Sequence, residues 1–144
     1  MEVLKYLLVI AAGYLLLGDM GLMAGGSACI VGHCFPVFHQ FKGGKGVSVG
    51  GLLSLMIDWR VGLLVFGSFG LFAVGSKKVS LGSVCGAVAI TVGSLIFHVS
   101  TPRLILAIVA MCLVIFQHRG NIKRLLNGTE RDFKPKSIRK TENA

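Results

Sequence analysis

Between Val3 and Gln117 the sequence runs as six apolar stretches broken only by short polar turns: residues 3–18, 20–38, 47–57, 61–75, 79–99 and 104–117. A helical membrane crossing takes about 20 residues, within a range of roughly 17–25. The second and fifth stretches reach that length unaided, and three others approach it with their flanks. Stretch 47–57 is short, which leaves open a full crossing or a re-entrant half-helix. Backbone in hydrocarbon must hydrogen-bond within its own segment, so the expected fold is all-α. It is a polytopic integral membrane bundle of about six segments, one of them short. Composition supports this: 53% hydrophobic and 15% charged residues leave too little polar surface for a soluble globule.

Charge predicts orientation. Fifteen Lys and Arg oppose six Asp and Glu, but the bases form no patch among stacking aromatics, so no nucleic acid is expected. If all six stretches cross and the basic C-terminal tail is cytoplasmic, 13 of the 15 bases fall on the cytoplasmic side. Only Arg60 and Arg103 lie opposite, as the positive-inside bias requires. Both termini are therefore expected in the cytoplasm. The organisation predicted is one transmembrane domain, residues 1–126, and a basic polar tail, 127–144. Cys29, Cys34, Cys85 and Cys112 lie in apolar runs without CxxC spacing, and Cys29 with His33 is too small a ligand set. No metal is expected.

The chosen topology brings three polar, glycine-bearing segments to one membrane face. In the first, Gly43 and Gly44 stand between Lys42 and Lys45, with Gly46 following. Glycine backbone can turn several N–H groups toward one point, and the two lysines and the helix beginning near Val47 add positive charge. These five residues are a candidate phosphate seat; an ordinary basic turn is the other reading. Gly46 stands where a nucleotide-binding P-loop has Ser or Thr. His33, in the last turns before Pro36, reads as orienting this loop or bonding a neighbouring carbonyl. Ser80 is by default a helix N-cap, with a substrate hydrogen bond as the alternative. His118 and Asn121 are three apart and share a helix face, which suits general-base work on a hydroxyl. The other reading is an amphipathic extension with its bases, Arg119 and Arg124 among them, toward headgroups, and the two are compatible.

These segments resemble, in order and spacing, the bacterial acyl-phosphate:glycerol-3-phosphate acyltransferase family (the PlsY type). The family pattern Gly-His-x-Phe-Pro-x-Phe-x-x-Phe-Lys-Gly-Gly-Lys-Gly-Val is matched from Gly32 to Val47. The pattern His-Arg-x-Asn-Ile-x-Arg-Leu-x-x-Gly-x-Glu is matched from His118 to Glu130, and Val79-Ser80-Leu81 resembles a third family segment. The resemblance implies transfer of an acyl group from acyl phosphate to glycerol-3-phosphate, giving lysophosphatidic acid and phosphate in phospholipid synthesis. It implies no cofactor, substrates and membrane lipid as the partners, and a bacterial inner-membrane site facing the cytoplasm. It further implies that residues 42–46 hold phosphate and that Ser80, His118 and Asn121 belong to the active site. His33, Arg119 and Glu130 then stand as structural or orienting members.

The family's first motif, a Gly/Ser/Asn-rich loop, has no counterpart here, and Glu2-x-x-Lys5 resembles a stretch that follows it. The chain is thus expected to begin about one motif and one helix late. Two rivals to catalysis are an inactive member that binds anionic lipid or a partner, and a small anion transporter.

Overall fold

The structure, a computed structural model, describes residues 2–40 and 43–133; Lys42 and residues 134–144 of the tail lie outside the described residues. Among the described residues every regular element is helical. These are α1 (Glu2–Cys34), a 3-10 turn (Val37–His39), α2 (Val47–Ile57), α3 (Trp59–Ser76), α4 (Val79–Ile96), α5 (Thr101–Gln117) and α6 (Arg119–Leu126).

Helix α1 covers two of the six apolar stretches because it folds back on itself at Gly18. That residue has φ 59° and ψ −139°, a conformation that glycine reaches without a Cβ clash. The arms, 2–17 and 19–34, then run antiparallel in close contact. A Cβ on Gly21 would overlap the Gly13 carbonyl oxygen, and Gly25 packs against the backbone of Val9 and Ile10. Small residues set this approach, since apolar lipid offers no hydrophobic drive for helices to associate. The second arm stops at Cys34, four residues before the apolar stretch does, because Pro36 lacks an N–H and restricts Phe35.

The remaining helices follow the stretches to within a few residues. Gly82 packs against Phe69 O and Ala73, and Gly86 against Val65, which joins α4 closely to α3. Leu15 and Leu16, 83% and 81% exposed, belong to an apolar outer surface of the kind lipid covers.

Six segments run alternately between two ends of the bundle. One end gathers the Gly18 turn, Asp58, Phe97 and the start of α5: Asp19 pairs with Arg103 at 2.8 Å, and the Arg60 guanidinium lies over the Phe97 ring. The other gathers His33, Lys45, Ser80, His118 and Glu130. Short α2 connects the two and packs against α1, α3, α4 and α5, with Val49, Leu53 and Ile57 fully buried. Eleven residues rise only about 16 Å, roughly half of a bilayer's hydrocarbon core. Arg103 Nη1 donates to the Ile57 carbonyl at the far end, so the deficit falls at the near one. Gly46 sits against Val114, about one helical turn inside His118. The last residue of the glycine loop, Gly46, is therefore buried in the bundle, while Gly43 and Lys45 stay exposed at its end.

Candidate active site

The loop ahead of α2 rests on the end of the hairpin's second arm. Gly44 N–H donates to the His33 carbonyl at 3.2 Å, and the His33 ring lies where a Gly44 Cβ would be. A Cβ on Gly43 would overlap the His33 and Cys34 carbonyl oxygens. The paired glycines thus satisfy a helix C-terminus and admit an imidazole, and Gly44's amide is already committed. Gly46, at φ 76°, turns the chain into α2 over Cys34 and Val114. It leaves the first amides of α2 without a side-chain cap, beside Lys45.

Lys45 Nζ donates to Asn121 Oδ1 at 2.8 Å, and Asn121 Nδ2 donates to Glu130 Oε1 at 2.7 Å. The same carboxylate oxygen accepts from Ser80 Oγ at 2.5 Å, while Oε2 accepts from Arg124 Nε at 2.7 Å. Three donors converge on one partly buried carboxylate, an arrangement that favours its charged form. The Ser80 bond contributes most, with Asn121 and Arg124 behind it, and against the cost of desolvation they bring the Glu130 carboxyl down to about 2. Lys78 Nζ donates to Glu130 O at 2.8 Å and to Asp132 at 2.7 Å, and Phe133 N–H donates to Lys77 O. Residues 127–133 accordingly form a strap from the end of α6 to the start of α4.

His118 stands at the α5–α6 junction, where the two helices bend by 61°, and is 2% exposed. Its Nδ1 lies 2.8 Å from the Val114 carbonyl, which can only accept, so Nδ1 carries the hydrogen. In the neutral ring Nε2 then has a free lone pair. Lys45, Ser80, His118, Asn121 and Glu130 all line one cleft of about 350 Å³. Val47, Phe69 and Ser83 belong also to a second cavity of about 230 Å³, which continues inward past Gly51, Phe66, Gly86 and Ile90. A cleft bearing the charged and polar side chains therefore adjoins an apolar one.

The candidates from the sequence fall into three groups. Lys45, Ser80, His118, Asn121 and Glu130 meet at the cleft, while Gly43, Gly44, Gly46 and His33 form the shelf beneath Lys45. Ser80 is the second residue of α4, where Lys78 is the N-cap, so its hydroxyl faces Glu130 instead of capping the helix. Arg119 points away: its guanidinium covers the Phe116 ring and donates to the Phe116 carbonyl. Lys78 joins the network without having been singled out, and Arg124, read from the sequence as facing headgroups, is instead bonded to Glu130. Tyr6, bonded to His33, lies 27 residues from it, and no local pattern marks it. Among the described residues no three His, Cys, Asp or Glu side chains gather as a metal site requires.

Residues 1–128 match the family model described as glycerol-3-phosphate acyltransferase. The chain belongs to that family. A glycerol-3-phosphate acyltransferase of Thermoanaerobacter sp. (strain X514) is 39% identical over 130 residues, 90% of this chain and 66% of that protein. One from Prochlorococcus marinus (strain NATL1A) is 39% identical over 129 residues, 85% of this chain and 64% of its own length. The chain thus spans just under two thirds of these relatives. The crystal structure of PlsY (YgiH), an integral membrane glycerol 3-phosphate acyltransferase, in its glycerol 3-phosphate form superposes with a TM-score of 0.81. It is 30% identical, covering 94% of this chain and 72% of that one. The lysophosphatidic acid form of the same protein gives 0.79. Family membership accords with the fold described above: an all-α, polytopic integral membrane bundle.

Proposed function

We propose that this chain transfers an acyl group from acyl phosphate to glycerol-3-phosphate, giving lysophosphatidic acid and inorganic phosphate. One observation carries the reading: a cation-bearing cleft that contains a buried imidazole with a free nitrogen adjoins an apolar cavity across shared lining residues. Both substrates carry phosphate and one carries an acyl tail, and the two cavities divide those chemistries between them. Lys45 and the uncapped start of α2 attract a phosphate group, while Val47, Phe69 and Gly86 line the way for the first part of the tail.

In this mechanism the glycerol-3-phosphate hydroxyl oxygen attacks the acyl carbonyl carbon. The carbon–oxygen bond to phosphate breaks, and its electron pair leaves with inorganic phosphate. The hydroxyl proton passes to His118 Nε2 and then to the departing phosphate. Lys45, held by Asn121, offsets the developing charge, and Glu130 fixes Ser80, Asn121 and Arg124 in relation to one another. No step requires a metal or a cofactor. The cleft end and both termini face the cytoplasm of a bacterial inner membrane, which agrees with the distribution of basic residues.

Purified full chain is tested for phosphate release with acyl phosphate, with glycerol-3-phosphate, and with both. Release that requires both substrates supports the proposal; saturable binding without release refutes it in favour of an inactive binder. Flux of glycerol-3-phosphate into sealed vesicles without acyl transfer would assign a transporter instead. Orientation is read by labelling a Lys77→Cys variant in intact cells, where reaction with an impermeant reagent overturns the cytoplasmic placement.

A further inference from the structure

On the hairpin's first arm, Tyr6 reaches His33, the residue on which the glycine loop rests. Its hydroxyl lies 3.2 Å from Glu2 Oε2 and 3.1 Å from His33 Nδ1, and its ring meets the imidazole edge-on, with centroids 5.7 Å apart. A tyrosine hydroxyl has one hydrogen, and the Glu2 carboxylate, which also pairs with Lys5 at 3.0 Å, can only accept. The hydrogen of Tyr6 therefore goes to Glu2, and His33 Nδ1–H donates to the tyrosine oxygen. Glu2, Tyr6 and His33 form a directed chain that sets both the tautomer and the tilt of the imidazole.

That tilt matters because the loop is built on it. The His33 ring occupies the space that Gly44 leaves by lacking a Cβ, and the His33 carbonyl accepts the Gly44 N–H. Lys45 is the next residue, and its ammonium must reach Asn121 across the cleft.

We infer that Tyr6 is a positioning residue: through His33 it fixes the backbone of residues 43–46 and so the point at which Lys45 presents its charge. The inference rests on the proposed meeting of Lys45 with a phosphate-bearing substrate, but its first readout does not. Tyr6→Phe removes one hydroxyl and keeps the ring. In the full chain reconstituted in lipid, amide exchange over residues 43–46 is expected to quicken by about 3–10-fold, the range set by one lost hydrogen bond. The half-saturating concentration of glycerol-3-phosphate should rise by a similar factor while kcat stays within about two-fold, because only ground-state placement is loosened. His33→Gln should produce the same pattern more strongly, and adding Tyr6→Phe to it should cost nothing further.

Unchanged exchange over 43–46 in Tyr6→Phe overturns the inference, as does an additive loss in the double variant. Equal falls in kcat and thermal midpoint overturn it too, since they mark a general packing role. If the wild-type chain shows no turnover, the acyl-transfer reading fails alone, and exchange together with glycerol-3-phosphate binding still decides the role of Tyr6. If His33→Gln does not fold, exchange in Tyr6→Phe decides it.

Discussion

The two ends of the bundle use charge differently. At the end holding the Gly18 turn, each cation has a dedicated acidic partner: Arg103 is bonded to Asp19, and Arg60 to Asp58. Arg103 also donates to the Ile57 carbonyl, and Ser100 donates to Asp19. These bonds tie the hairpin turn, the end of α2 and the start of α5 into one clasp. At the cleft end, one carboxylate serves three donors, and Lys45 is bonded to a neutral amide oxygen. A cation satisfied by an amide retains most of its attraction for an incoming anion, whereas a cation paired with a carboxylate does not. The clasp thus suits holding helices, and the cleft suits receiving phosphate.

Substitutions at the two ends should therefore separate chemistry from stability. The largest effect is expected from His118→Ala, which removes the lone pair meant to accept the hydroxyl proton: phosphate release should fall by about 100-fold or more at saturating substrate. A rate within a few-fold of wild type would remove His118 from the mechanism.

Lys45→Ala should act mainly on binding. Losing one hydrogen bond to a charged group raises the half-saturating glycerol-3-phosphate concentration by about 10–100-fold. A fall in kcat alone, without that rise, would place the lysine elsewhere in the mechanism.

At the clasp, Arg103→Ala should leave kcat per folded molecule near wild type and lower the thermal midpoint. The loss is about 1–3 kcal/mol, because Asp19 and the Ile57 carbonyl lose a shared donor. A loss of turnover with unchanged stability would blur the distinction between the ends.

The smallest expected effect, absent at neutral pH, belongs to Glu130. The folded protein brings its carboxyl from 4.5 down to about 2, so folding favours the charged form. The strap's contribution to stability is complete above about 4.5, fades as pH falls toward 2, and is gone below that. Amide exchange in residues 127–133, corrected for intrinsic rates, should stay flat from pH 8 to about 5 and rise under stronger acid. A transition near neutrality would mean that a different group pins the strap.

Much of this molecule was legible in its residues. The apolar runs and their polar breaks located α1 to α5, whereas the hairpin turn at Gly18, the last residue of the first run, emerged only from the backbone. The patterns from Gly32 to Val47 and from His118 to Glu130 named most of the side chains that meet at the cleft. The partnership of Tyr6 with His33, the joining of Ser80 to Glu130 rather than to its own helix, and the outward turn of Arg119 were not legible. Nor was the cost to Gly44 of an amide that sequence alone counted toward the phosphate.

Partition of apolar segments into lipid and the backbone's need to bond within itself are local demands, and the amino-acid order alone met them. It also supplied glycine where a bend or a close approach needed one. The contacts that define the cleft are distant: Lys45 and Asn121 are 76 residues apart, Ser80 and Glu130 50, Tyr6 and His33 27. Which donor meets which acceptor over such separations depends on how short α2, fastened at its far end, draws its other end inward. Only the packed bundle decided that, because hydrogen bonds and charges act over a few ångströms and the chain's own spacing does not bring them there.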